Sequence, residues 1–285
     1  MELGFFMIKR LLITGGSGYL GARLTQLADA ADYETHPTFF STPITHRRAI
    51  QLDLRDKNKV DQTIRDLKPD VIIHQAVSNR NDDDIAAIAP AARHIVEAAI
   101  DHHIRLIHVS TDLVFDGEHP PYTEESTTAP VNPYGAAKAY ADGLIARAMP
   151  EALIVRPSLI YGFDPIDKQT AWLVNGIKQK QTVKLFVDEY RCPIWVDNLA
   201  HVLLEVAESK LSGILNVAGP QRLNRWDYGM KMLNRLKIEP DGCVVKSSIA
   251  ESGLKRPADL TLDVRKAQRV LRTRLMGVDE VVGEA

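Results

Sequence analysis

Apolar residues fall along this chain in two rhythms. Residues 10–14, 71–74, 105–109 and 152–156 are short, nearly continuous apolar runs, the pattern of strands buried on both faces. Residues 35–40 and 49–54 read as two further strands. Between these runs, apolar positions recur at helical spacing over 22–30, 58–67, 85–102 (with Pro90 as a local disturbance) and from Asn132 onward. Strand then helix, repeated, predicts an α/β fold: a doubly wound parallel sheet of the Rossmann type.

Beyond Phe163 the rhythm is less regular. Helices are expected over 170–180, 197–209 (capped by Asp197) and 224–237, with strands at 183–186 and 214–217 and a final helix after Arg256-Pro257-Ala258-Asp259. The expected organisation is a Rossmann domain over 1–162 and a mainly substrate-binding lobe over 163–285, with segments about 190–220 returning to the sheet.

Composition narrows the function classes. A chain of 285 residues buries roughly three quarters of its unfolded surface, so a large core is available. With 35 basic and 37 acidic side chains the net charge is −2, which argues against nucleic acid or a membrane surface as partner through bulk electrostatics. Cys192 and Cys243 are the only cysteines and lack metal-ligand spacing, so no metal is expected and a reducing cytoplasm is the natural setting. The apolar run 3–8 is short, has no basic residues before it and flows into Lys9-Arg10, unlike a signal peptide. No apolar segment approaches the roughly 20 residues that span a bilayer.

Candidate chemistry lies at the ends of the strands. The first runs into Thr14-Gly15-Gly16-Ser17-Gly18-Tyr19-Leu20-Gly21 and then a helix. Glycines 15, 18 and 21 permit a tight turn, close approach of a diphosphate and close helix packing, with the helix N-terminus facing the anion. A plain strand–helix turn would use the same glycines; the flanking strand and helix favour a dinucleotide. After the second strand comes Phe39-Phe40-Ser41-Thr42, without the acid that an NAD site supplies to the ribose hydroxyls. Arg47 and Arg48 follow and can meet a 2′-phosphate, which points to NADP with NAD as the alternative; two solvated loop arginines are the plain reading. Asp53 is placed to approach the adenine, and 75–78 follow the fourth strand where such sheets place ligands.

Ser110 and Thr111 end the fifth strand, positioned either to hydrogen-bond a substrate carbonyl or to cap a turn. His102-His103 reads as a helix terminus, and 118–131 as a long loop. Asn132 can cap a helix with Pro133 in its first position, which puts Tyr134 and Lys138 four residues apart on one face. A fixed ammonium stabilises phenolate, moving a tyrosine from pH ~10 toward the range useful for acid–base work. In isolation the same pair would read as a surface helix.

Together these residues resemble an extended short-chain dehydrogenase/reductase, and within that group the dTDP-4-dehydrorhamnose reductase family. The motifs are the 14–21 turn, Ser110-Thr-Asp-Leu-Val-Phe-Asp-Gly117, Pro133-Tyr134-Gly135 with Lys138, Arg156-Pro157 with Tyr161-Gly162, and Arg256-Pro257-Ala258-Asp259-Leu260. They span nearly the whole chain. The resemblance implies that Tyr134 is the general acid, that Lys138 holds the nicotinamide ribose and lowers the tyrosine pKa, and that Thr111, rather than Ser110, bonds the carbonyl oxygen. It implies further that Gly15, Ser17, Gly18, Tyr19, Leu20 and Gly21 line the diphosphate, Asp53 and Leu54 the adenine, and Ala76 and Val77 the sugar–nicotinamide side. Ser110, Thr111, Asp112, Arg191 and Arg256 are implied on the substrate side, Arg256 at its diphosphate.

The chain departs from the family pattern at Leu113, where the family has tyrosine, at Gln75 within a small-residue segment, and at Cys192-Pro193-Ile194-Trp195, where Pro-Thr is usual. Substrate contacts are expected to differ there. The implied activity is NADP(H)-dependent reduction of a nucleotide-activated 4-keto-6-deoxy sugar, with a homodimer left open. The alternatives are a sugar-nucleotide epimerase or dehydratase, disfavoured because no glutamate follows Asp112, and a non-catalytic NADP-binding regulatory subunit such as that of methionine adenosyltransferase.

Overall fold

A computed structural model of the chain describes residues 10–76 and 82–283; the run 3–8, Val77, Ser78 and the start of the polar loop after them lie outside the described residues. In chain order the elements are β1 (Arg10–Thr14), α1 (Tyr19–Ala30), β2 (Glu34–Phe39), β3 (Ile50–Gln51), α2 (Lys57–Leu67), β4 (Val71–His74), α3 (Asp82–Ala86), α4 (Ile88–Asp101) and β5 (Arg105–Val109). A single 3-10 turn (Asp112–Val114) precedes α5 (Pro133–Ala148), β6 (Leu153–Pro157), β7 (Ile160–Tyr161), α6 (Lys168–Lys178), β8 (Val183–Phe186), β9 (Tyr190–Arg191), β10 (Ile194–Trp195), α7 (Val196–Ala207) and β11 (Gly213–Val217). The last part holds β12 (Leu223–Asn224), α8 (Arg225–Leu236), β13 (Val244–Ser247), α9 (Ile249–Ser252), α10 (Arg265–Val270) and α11 (Val278–Val282).

Seven strands form one parallel sheet in the order β11-β6-β5-β4-β1-β2-β3. This is the doubly wound architecture expected from the alternation of runs. The strand order reverses between β1 and β4, which opens a crevice at their carboxyl ends. Side-chain alternation explains why the runs are continuously apolar. Leu11, Ile13, Val71, Ile73, Ile107 and Val109 face a layer completed by Leu24 of α1 and by Leu199 and Leu203 of α7. Leu12, Ile72, Leu106 and Ile154 face the opposite layer with Val60, Ile64, Ile95 and Ile145. Neither face of a central strand meets water, so each position is selected for burial, worth about 1.5–3 kcal/mol per large side chain.

Three expectations are corrected. The third strand is two residues long, because only Ile50 and Gln51 pair with β2 before the chain turns into the cleft. The helix expected over 85–102 is two helices that meet at Ala87; Pro90 cannot donate to the carbonyl four residues back and is accommodated only in the first turn of α4. Asp197 does not cap α7, whose N-cap is Trp195. It instead takes a two-pronged ion pair from Arg23 of α1, at 2.6 Å for both contacts.

The smaller lobe is built on the parallel pair β8 and β13, packed by α6 and α8 around Leu173, Val183, Leu185, Leu233 and Val244. β11, although late in the chain, lies in the main sheet beside β6. Among the described residues no helix is long and apolar enough to cross a membrane.

The start of α5 is tied down in two ways. Asn132 Oδ1 accepts the Gly135 N–H at 2.7 Å, and a Cβ on Gly135 would stand 2.1 Å from the Leu113 carbonyl oxygen. Because that neighbour is backbone, it cannot rotate away. Gly135→Ala is therefore expected to destabilise the fold by about 3 kcal/mol, read as a lower urea midpoint; an unchanged midpoint would contradict this close approach.

Candidate active site

The crevice at the switch point is a cleft of about 440 Å³. Its floor is the glycine turn. Gly15 has φ 75°, and a Cβ there would stand 2.8 Å from Ala76 Cα, so only glycine lets β1 and the end of β4 close on each other. A Cβ on Gly21 would stand 2.2 Å from the Gly15 oxygen. Gly18 is the N-cap of α1 and offers no side-chain cap, and the first turn of α1 carries no acid. The helix N-terminus therefore keeps its amide donors for an outside anion. Gly15, Ser17, Gly18, Tyr19, Leu20 and Ala76 all line the cleft; Gly21 packs beneath, and Val77 lies outside the described residues.

Thr14 fixes the wall opposite. Its Oγ1 accepts the backbone N–H groups of Gln75 (3.1 Å) and Ala76 (3.2 Å), which leaves its proton for His74 Nδ1 at 2.8 Å. That assignment makes His74 a neutral ring protonated on Nε2. Burial, helped by the Lys138 charge, pushes its pKa down to about 3.

At the adenosine end the arrangement differs from the expectation. Asp53 and Leu54 line the cleft, but among the described lining residues the arginine is Arg55, while Arg47 is exposed and Arg48 lies outside the lining. β3 is short, so the chain re-enters the cleft at 52–55 after the loop has carried Arg47 and Arg48 past it. Arg55 grips Asp53 at 2.8–3.2 Å and stands 5.0 Å over the exposed Phe40 ring. The guanidinium holds the Asp53 carboxyl below its ordinary range.

Tyr134 and Ser110 both line the cleft. Burial, with Asp112 adding to it and Arg191 opposing it, pushes the Tyr134 phenol up to about 12. The phenol is thus protonated across the neutral range, as a proton donor must be. Lys138 is fully buried one turn further on. It donates to the Val109 carbonyl at 2.7 Å and approaches His108 Nε2 at 3.1 Å. Its pKa is down to about 8, through burial opposed by Asp142. The expectation that Lys138 lowers the tyrosine pKa is corrected: Arg191 is the cation acting on the phenol.

Beneath these residues lies a buried network that the sequence reading left out. Asp142 accepts from Ser110 Oγ at 2.8 Å and from Arg156 Nε at 3.1 Å, and stands 3.6 Å from His108. Asp142 follows Lys138 by four residues on the same helical face, and His108 interrupts an apolar strand. Those were the signals.

The substrate-side expectations are redistributed. Thr111 Oγ1 accepts the Leu113 N–H at 3.2 Å and caps the 3-10 turn. Asp112, expected on the substrate, is fully buried, with its oxygens taken by Arg191 at 2.6 and 2.8 Å and by Ser158 at 2.6 Å. Arg191 is correspondingly directed at Asp112. Arg256 lines a neighbouring cavity of about 390 Å³ together with Lys168, Trp172, Phe186, Arg225 and Tyr228. Arg256 and Arg225 share the buried Glu189, at 2.7 and 3.3 Å, so two cations face one carboxylate. Arg225 Nη1 is buried without a partner. Lys168 lines both cavities and links them.

Comparison with known proteins bears on this geometry. The family model described as "RmlD substrate binding domain" matches residues 9–284. The chain belongs to that family. It is 28% identical over 283 residues to dTDP-4-dehydrorhamnose reductase of Aggregatibacter actinomycetemcomitans, covering 92% of this chain and 93% of that one. It is 25% identical over 277 residues to methionine adenosyltransferase 2 subunit beta of Xenopus tropicalis, covering 92% and 82%. The crystal structure of dTDP-4-dehydrorhamnose reductase from Bacillus anthracis in complex with NADP superposes with a TM-score of 0.84 at 22% identity, covering 97% of this chain and 98% of that one. The family resemblance carried by the motifs is thereby met along the whole chain.

The buried ring of His74 sets an expectation for acid stability. Its folded pKa lies below the unfolded value of ~6.5, so the unfolded chain binds a proton that the folded chain refuses as pH falls. Stability is full above ~6.5 and drops by about 2 kcal/mol at pH 5 from this ring alone, with buried His108 adding in the same direction. Urea unfolding at both pH values should show the drop, and His74→Asn should weaken the pH dependence; equal slopes would contradict the assignment.

Proposed function

We propose that the protein is an NADP(H)-dependent reductase that converts a nucleotide-activated 4-keto-6-deoxy sugar to the alcohol. The observation that carries this reading is the Tyr134 phenol in the same cleft as a glycine turn and an uncapped helix N-terminus. The glycine turn and the α1 N-terminus would hold the dinucleotide diphosphate, and Phe40, Asp53 and Arg55 its adenosine end. Arg55 then takes the 2′-phosphate role first expected of Arg47 and Arg48. The NADP-bound relative supports the cofactor, and the family name and the reductase relative support the reaction.

When bound, the cofactor supplies hydride to the carbonyl carbon. The chain's own work is to place and charge-balance the carbonyl. Tyr134 donates its proton to the carbonyl oxygen; Ser110 lines the same cleft with its own hydroxyl proton on Asp142, and Thr111 holds the neighbouring turn. Two of the Lys138 ammonium's three protons are directed at Val109 and His108, leaving the third for the nicotinamide ribose. The lobe over 163–285 holds the rest of the substrate. Its cationic cavity, with Arg225, Arg256 and Lys168 beside exposed Trp172, suits a diphosphate next to a base. A reducing cytoplasm suits the free thiols of Cys192 and Cys243.

A second reading is favoured by the likeness to methionine adenosyltransferase 2 subunit beta: a cofactor-binding subunit without turnover. One assay separates the two. Oxidation of NADPH is followed with a panel of nucleotide-linked 4-keto sugars, for wild type and Tyr134→Phe. The substitution is expected to lower kcat by ~10³ while NADPH binding stays within about twofold. Equal turnover by both proteins would remove the proton-donor role, and no turnover by either, with NADPH still bound, would favour the second reading.

The same assay run against pH tests Lys138. A lysine whose folded pKa is depressed loses its charge as pH rises through about 8, whereas Tyr134 keeps its proton to about 12. Affinity for NADPH should therefore fall across pH 8, and a flat profile from pH 7 to 9.5 would contradict a ribose-holding ammonium.

A further inference from the structure

Lys168 stands where the two cavities meet. It lines the dinucleotide cleft with Gly18, Tyr19 and Ile160, and the lobe cavity with Trp172, Arg225 and Arg256; among the described residues no other is common to both linings. Its backbone is held at that boundary. Asp167 caps α6 from a buried position, accepting the Gln169 and Thr170 N–H groups at 2.9 and 3.0 Å and the Thr170 hydroxyl at 2.6 Å. On the cleft side, the hydroxyl of Tyr19 at the start of α1 donates to the Pro165 carbonyl at 3.1 Å. The loop that carries Lys168 is thereby tied to the glycine turn.

The side chain, in contrast, is uncommitted. Arg225 and Arg256 are drawn to Glu189, at 3.3 and 2.7 Å, and Arg55 to Asp53 at 2.8 Å. Lys168 is exposed, and among the described residues its ammonium makes no ion pair or hydrogen bond. A lysine with a fixed root and a free four-carbon stem loses rotamer freedom when an anion immobilises it. The first anionic ligand to engage it meets that ordering cost. A second ligand that reaches the same ammonium, with its three donors, finds the side chain already ordered, so the two bind with positive coupling and no change of fold. We propose that Lys168 is a shared phosphate-binding residue that couples the two sites, its ammonium contacting the dinucleotide in the cleft and the diphosphate of the nucleotide sugar in the lobe cavity. The inference rests on the reductase reading above and adds to it an energetic link between cofactor and substrate.

The test is calorimetric titration of NADPH into the protein with and without saturating thymidine diphosphate, a probe that offers a diphosphate and a base but no carbonyl to reduce. Wild type should bind NADPH on the order of tenfold tighter with the probe present, the scale set by ordering one lysine side chain. In Lys168→Met that ratio should fall to one or below, because two polyanions brought together without a cation between them repel. Lys168→Arg should keep the ratio above one. Lys184, exposed and lining the lobe cavity alone, is the control: Lys184→Met should weaken the probe and leave the ratio at its wild-type value. A ratio of one in wild type, or an undiminished ratio in Lys168→Met, would overturn the proposal. So would an equal loss of the ratio in Lys184→Met, which would mark bulk charge instead of a shared contact. If wild type does not bind NADPH, the reductase reading falls and takes this inference with it; if wild type binds NADPH and the probe independently of each other, the inference alone falls.

Discussion

The structure turns on the burial of one ammonium. Lys138 has no exposed surface, and taking an isolated charge out of water costs several kcal/mol unless partners replace the water. Three residues supply them: Val109 at the end of β5, His108 one residue earlier, and Asp142 on the next turn of α5. Asp142 in turn needs Arg156 of β6 and Ser110. Two central strands and the helix bearing Tyr134 are thus pinned around a single group. The network is not complete, since His108 Nδ1, Asp142 Oδ1 and Arg156 Nη1 are buried without a hydrogen bond, and an incompletely satisfied polar core is tolerated where chemistry needs it.

The same economy governs the substrate side. The Asp112–Arg191 pair anchors the 3-10 turn to β9, and its two charges act on the Tyr134 phenol in opposite senses, so burial decides the outcome. The phenol is held as an acid rather than as a phenolate. Charge in the neighbouring cavity is arranged differently, with two arginines on Glu189 leaving a positive excess for an anionic ligand. Lys168 at the start of α6 joins the two cavities, which places a lobe element at the mouth of the Rossmann cleft.

Much of this was readable in the linear chain. The glycine turn, the Asn132-Pro133 helix start and the Tyr134–Lys138 spacing are local features, set by backbone sterics and by the four-residue repeat of a helix face. What misled were residues whose role depends on a distant partner. Asp197 looked like a cap and is instead bound by Arg23, 174 positions away. Asp112 and Arg191 each looked like substrate ligands, and they bind one another across 79 positions. Arg55, and not Arg47 or Arg48, lines the cleft, because the length of β3 is fixed by pairing with β2 and not by its own composition.

The sequence alone determined the fold class, the family and the residues able to do acid–base chemistry, because apolar period, turn sterics and helical spacing act over a few positions. Tertiary structure alone decided which polar groups are spent on each other and which still face the cleft. That division follows from burial. A charged side chain removed from water takes the nearest available partner, and only the folded chain determines which residue that is.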